Sequence, residues 1–249
     1  MTFQANLQLL LSGNKVKINY EKLHALSFLN REDLYKDKYG INYEKFSTRL
    51  REIEKDPFIG FVGSKYSEAK VRVLFLGKSN AESKPKDQDK DILINQYLKQ
   101  LRDSSENFEQ RYREYAKQYS DKTIGAFRTW DINRFPVYFR NRTRIDIEET
   151  AYANIVPFRY IGAPSKRVYE IAFNNFTNEL VSIIQPNQII PLGANLDTGI
   201  IKEYLDTREL NVKISNGISR KGRDKKISDE GYRTLDQAIE DYEDLLLES

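Results

Sequence analysis

The sequence predicts an α/β fold, a three-layer α/β/α sandwich around a four-stranded parallel sheet. Two short apolar runs, Val71-Arg72-Val73-Leu74-Phe75-Leu76-Gly77 and Gln188-Ile189-Ile190-Pro191-Leu192-Gly193, both end at glycine. Neither alternates apolar with polar, so each reads as a strand buried on both faces, as in a parallel sheet. Between them, Arg167 to Ile184 places Val168, Ile171, Ala172, Phe176, Leu180, Val181 and Ile184 on one helical stripe. Strands alternating with helices argue for parallel pairing, helices on both faces and right-handed crossovers.

Taken in order, residues 1–65 read as polar and helical, with Phe46, Leu50 and Ile53 at helical spacing in Tyr43 to Lys55. Asp56-Pro57 stops that helix, because proline disfavours the α region in the residue before it. Asp56 to Phe61 is a loop or short strand leading in. Val71 to Gly77 is the first clear strand. Ile92 to Tyr119 is long and charged, with apolar residues at helical spacing. Its size and polarity predict an excursion outside the core, and about 84–150 reads as an insertion. Ala151 to Val156, closed by Pro157, is the second strand, and Pro186 ends the helix that follows. Gln188 to Gly193 is the third strand, Ala194 to Leu205 a helix, Leu210 to Ser215 the fourth strand and Leu235 to Leu247 a closing helix. No repeat or low-complexity linker interrupts the series, so one domain over 1–249 is expected.

Composition narrows the chemistry. The 249 residues contain no cysteine, which removes disulfides, thiolate nucleophiles and thiolate metal sites. There is one histidine, His24, so a Ser-His-Asp triad or a His-rich zinc site would have to be built on it. The reading therefore carries no metal and no cofactor. No run approaches the roughly 18 apolar residues that span a bilayer. The run near Leu7 to Leu11 is too short for a signal h-region and lacks a basic lead. A cytoplasmic protein with no membrane partner is expected. The net charge of +3 decides little, but its distribution is uneven. Arg134 to Arg144 holds four arginines and no acid, and Lys213 to Lys226 holds six basic residues and one acid. Such clusters suit a polyanion, or else are solvated loops.

Gly77-Lys78-Ser79 imitates the end of a phosphate-binding P-loop. That loop needs an earlier glycine and four intervening residues whose backbone wraps the phosphates. Here positions 72 to 76 are Arg-Val-Leu-Phe-Leu, which continue the strand. No Gly-x-Gly-x-x-Gly follows any strand, so a dinucleotide site is not indicated either.

In open parallel sheets, ligands sit beyond the carboxyl ends of strands, where the strand order switches. The segments at those ends are Val73-Leu74-Phe75-Leu76-Gly77-Lys78-Ser79-Asn80-Ala81, Ala153-Asn154-Ile155-Val156-Pro157-Phe158-Arg159, Ile189-Ile190-Pro191-Leu192-Gly193 and Val212-Lys213-Ile214-Ser215-Asn216-Gly217-Ile218-Ser219. Their order and spacing over about residues 70 to 222 resemble the uracil-DNA glycosylase superfamily. The resemblance implies a uracil-DNA glycosylase-like fold and a monofunctional, metal-independent hydrolysis of the base–sugar bond of a flipped nucleotide. Extruding the base costs a few kcal/mol. Breaking the bond builds positive charge on the sugar and negative charge on the base, which oriented polar groups stabilise.

By that resemblance, Asn80 orients the water and Glu82 supplies the carboxylate that asparagine lacks. Ser79 and Asn154 face the base, since an amide both donates and accepts. Phe158 stacks on the base, a contact of about 1–3 kcal/mol. Asn216 stands where many relatives have a histidine for the leaving base. Ser219, Arg220, Lys221 and Arg223 hold the DNA in the fourth loop. Arg140, Arg142 and Arg144, interleaved with Phe127, Trp130, Phe135, Tyr138 and Phe139, suit stacking with phosphate binding. The bland readings stay open: Asn80 as a turn residue, Asn154 as a buried amide, Phe158 as core, and the arginines as the rim of a satellite core. The large insertion and altered loops point to modified pyrimidines, glucosylated ones included, as in defence against phage DNA. A monomer acting on DNA is expected. A non-catalytic binder of modified nucleotides or nucleic acid, and a hydrolase of free nucleosides or nucleotides, remain as alternatives.

Overall fold

The computed structural model describes residues 16–48, 57–78, 96, 98–103, 106–120, 135–158, 160, 164–192, 198–206, 211–216 and 229–249. Five strands form one mixed sheet: β1 (Phe61–Val62), β2 (Val73–Gly77), β3 (Thr150–Asn154), β4 (Gln188–Leu192) and β5 (Lys213–Ile214). Their spatial order is β1-β3-β2-β4-β5. β3, β2, β4 and β5 run parallel, and β1 lies antiparallel to β3 at the edge.

The expected four-stranded parallel sheet is therefore corrected to a five-stranded mixed one, and the loop or short strand expected over Asp56 to Phe61 leads into the added edge strand. The segment after Pro57 turns along the edge of β3. Phe58 N–H donates to Pro157 O, Gly63 N–H to Thr150 O and Lys65 N–H to Glu148 O, so edge pairing extends well beyond Phe61 and Val62. Gly60 makes the approach possible. Its φ is +85°, and a Cβ there would lie 3.0 Å from Tyr152 O. Two residues are too few for sequence alternation to reveal a strand.

The three inner strands form as their composition predicts. Val73, Leu74, Phe75 and Leu76 have no exposed surface, and successive side chains point to opposite faces, so both faces of β2 are covered. On one face Phe75 meets Phe139 edge-on at 5.7 Å between centroids, and Phe139 meets Tyr242 at 5.4 Å. Phe139 belongs to α5 (Phe135–Thr143) and Tyr242 to α9 (Asp229–Glu248). The expected helix from Arg167 to Ile184 runs as α6 (Lys166–Ala172), a π-turn at Phe173–Thr177, and α7 (Asn178–Ile184). Thr177 of the π-turn donates to Ile155 O just past β3.

Further helices among the described residues include α1 (Tyr20–Leu26), α2 (Arg31–Tyr39), α3 (Tyr43–Ser47), α4 (Phe108–Ser120) and α8 (Thr198–Tyr204). Asn19 and Asn30 cap α1 and α2 through their side chains. Where residues 92–119 are described, they are not an excursion. Phe108, Tyr112, Tyr115 and Ala116 of α4 are buried in the same core cluster as the strands. Tyr112 donates to Gly60 O at 3.0 Å, and Phe108 packs on His24 of α1. The charged residues of α4 face outward while its aromatic stripe faces in. Among the described residues no helix is long and apolar enough to cross a membrane.

Candidate functional site

From β2 the chain crosses to β3 on one side, and from β4 it goes on to β5 on the other. The strand order thus switches between β2 and β4, and the crevice lies at their carboxyl ends. Register places three residues abreast there: Gly77 pairs with Asn154 on one side and with Leu192 on the other.

Asn154 is fully buried, and Tyr152 Oη donates to its Oδ1 at 3.0 Å. Burial pushes the Tyr152 hydroxyl above the ordinary tyrosine range, so it stays a donor near neutral pH. Tyr152 and Asn154 are two apart on one strand and so share a face. With Oδ1 held by the hydroxyl, the amide directs its two N–H groups the other way. Gly77 makes room for the pair: a Cβ there would overlap Asn154 Oδ1 and lie 3.1 Å from Tyr152 Oη.

Lys78 follows, partly buried. Strand-like pairing continues through it, with Ile155 N–H donating to Gly77 O at 2.9 Å and Val156 N–H to Lys78 O at 2.8 Å. Desolvation holds its ammonium below the usual lysine range.

Asn216 is exposed and directly follows Ser215, which is locked: Ser215 Oγ donates to Asp241 Oδ2 at 2.7 Å and accepts from Gln188 Nε2 at 2.9 Å. Asn216 follows β5, three strands from β3, so roughly 14 Å separates the strand ends that carry Asn216 and Asn154. The two amides do not meet directly, although both stand at the carboxyl edge.

Phe158 is buried against Tyr35 of α2, with ring centroids 6.4 Å apart, in a cluster that also holds Phe46 and Tyr160. It is core here, and the N-terminal helices thereby pack on the chain leaving β3. Arg140, Arg142 and Arg144 lie at the end of α5 that leads into the amino end of β3. Arg140 Nε donates to Ile145 O, Arg142 packs over the Tyr138 ring and donates to its hydroxyl, and Arg144 ends the helix with φ +62°. The structure does not bring these arginines to the edge occupied by Asn154. Ser79, Asn80, Glu82, Ser219, Arg220, Lys221 and Arg223 lie outside the described residues.

Among the described residues no group of three or more His, Asp or Glu side chains is arranged to hold a metal. His24 is engaged with Arg102 O through Nε2 and with the Phe108 ring. The sequence reading passes over Tyr152, although the Tyr-x-Asn spacing on a strand already puts the two side chains together. No protein-family model matches the sequence, and no curated protein matches it.

Proposed function

We propose that the chain is a DNA glycosylase, a metal-independent N-glycosyl hydrolase acting on a flipped, modified pyrimidine in DNA, with defence against phage as its setting. The proposal takes the sheet as the centre of a three-layer sandwich and the protein as a cytoplasmic monomer. One observation supports it above the others: register aligns Gly77, Asn154 and Leu192 at the switch point, with the Asn154 amide oriented by Tyr152. In this reading the Asn154 N–H groups donate to an oxygen of the base, where charge develops as the bond breaks. Asn80 and Glu82 orient and activate water, with Ser79 beside the base. Arg220, Lys221, Arg223 and Ser219 grip the backbone, and Asn216 approaches the extruded nucleotide from the fourth strand. Base binding requires the site to open, because Asn154 has no exposed surface.

The same burial favours a second reading, a non-catalytic binder whose Asn154–Tyr152 pair is purely structural. The deciding experiment treats purified protein with DNA containing glucosylated hydroxymethylcytosine, hydroxymethylcytosine or uracil, then with alkali. Strand breaks made by the wild type and lost in Asn154→Ala and Asn80→Ala support hydrolysis. Retained DNA binding with no breaks on any substrate supports the binder.

A further inference from the structure

We propose that Lys78 forms an oxyanion site at the switch point of the sheet and takes a phosphate group of a nucleotide or nucleic-acid ligand. Gly77-Lys78-Ser79 is not a P-loop, since β2 runs straight through Gly77 and its pairing with β3 persists at Lys78 O. The Lys78 carbonyl is committed to the segment that follows β3, and its ammonium is the group that can bind.

Its setting differs from that of the other withdrawn cations. Arg72 is bonded to Gln185 O and Arg140 to Ile145 O. Among the described residues no acid and no acceptor reaches the Lys78 ammonium. A charge partly removed from water without a partner is unfavourable, and a bound anion relieves that cost. Burial already holds the amine below its ordinary range. Lysine binds phosphate as a point charge, without the planar fork of arginine. Lys78 follows Gly77 directly, so the anion site lies at the same carboxyl edge of the sheet as the Gly77–Asn154 pair. That the phosphate belongs to a nucleotide rests on the glycosylase reading, whereas the anion site itself does not.

The test maps reductive methylation of the full-length protein by mass spectrometry, at constant ionic strength set with chloride. The probes are inorganic phosphate and an oligonucleotide containing an abasic site. Lys78 is expected to be methylated several-fold more slowly with either probe, while exposed Lys36 and Lys45 are unchanged. Protection by phosphate alone keeps the anion site and counts against the DNA reading. Protection by neither overturns the proposal. Protection by the oligonucleotide alone overturns it too, because Lys78 is then merely covered. As a second measurement, Lys78→Gln is expected to flatten the log-log salt dependence of oligonucleotide affinity by about one unit. A wild-type slope in that variant overturns the proposal equally.

Discussion

Two buried polar clusters share one face of the sheet and serve different ends. The Tyr152–Asn154 pair lies over Gly77 at the carboxyl end of the inner strands. The second cluster starts at the amino end of β4. Gln188 donates to Ser215 Oγ and Ala238 O, Ser215 donates to Asp241, and Lys213 pairs with Asp241. This second cluster ties β4 and β5 to α9, and its members point at one another. The first, in which a tyrosine orients the amide, stands at the edge where open parallel sheets receive ligands. Burial alone does not separate a clamp from a site; position along the strands does.

The largest expected effect falls on the clamp. Asp241→Ala removes a buried acceptor and leaves Ser215 without its strongest partner. It should cost about 2–3 kcal/mol, as for a hydrogen bond to a charged group. The Lys213 pair adds little, because that lysine is half exposed. Chemical denaturation reads the loss. Oligonucleotide affinity, measured where the variant is still folded, is expected to stay at the wild-type value. If binding falls as far as it does in Asn154→Ala, the division between clamp and site breaks.

The next effect falls on the site. Gly77→Ala sets a methyl group against Asn154 Oδ1 in a strand paired on both sides. Overpacking of this kind costs about 1–3 kcal/mol. In the double variant Gly77→Ala/Asn154→Ala the closer clash is gone and only the 3.1 Å approach to Tyr152 Oη remains, so much of that stability should return while binding does not. Additive losses in the double variant would mean that the methyl group meets something other than the amide.

Much of the frame is legible in the sequence. β2 and β4 declare themselves because strands buried on both faces need unbroken apolar runs. The fourth strand is legible in place but not in length: Leu210 to Ser215 predicts six residues, and only Lys213 and Ile214 pair as a strand among those described. β1 is legible only as the loop or short strand read over Asp56 to Phe61, because its edge is built by Gly60 and by backbone pairing, which leave no periodic pattern. α4 is misplaced outside the core because its charge density hides Phe108, Tyr112 and Tyr115. The site is legible as an edge and as Asn154. Its support by Tyr152 and Gly77 becomes visible only with register, and Lys78 gains a role only once no acid among the described residues is seen to reach it. Phe158 shows the limit of a lone aromatic, whose default is packing.

The smallest effect is the sharpest discriminator. Burial raises the hydroxyls of Tyr35, Tyr66, Tyr112, Tyr115 and Tyr152 above their ordinary value of 10.0. A group with a raised folded value holds its proton more tightly in the native state. Its stabilisation is complete below pH 10 and is lost as pH climbs toward the folded value, by about 1.4 kcal/mol per pH unit for each group. Tyr152→Phe should cost about 1 kcal/mol at neutral pH, where Asn154 Oδ1 loses a donor. Above pH 10 the same variant should lose stability less steeply than the wild type, by one proton's worth of slope. Asp241→Ala should leave the slope in that window untouched, because it removes no tyrosine hydroxyl. Denaturation midpoints collected across the alkaline range decide the matter. An unchanged slope in Tyr152→Phe would mean that the hydroxyl already meets water, and that the pair over Gly77 is open in solution without any ligand.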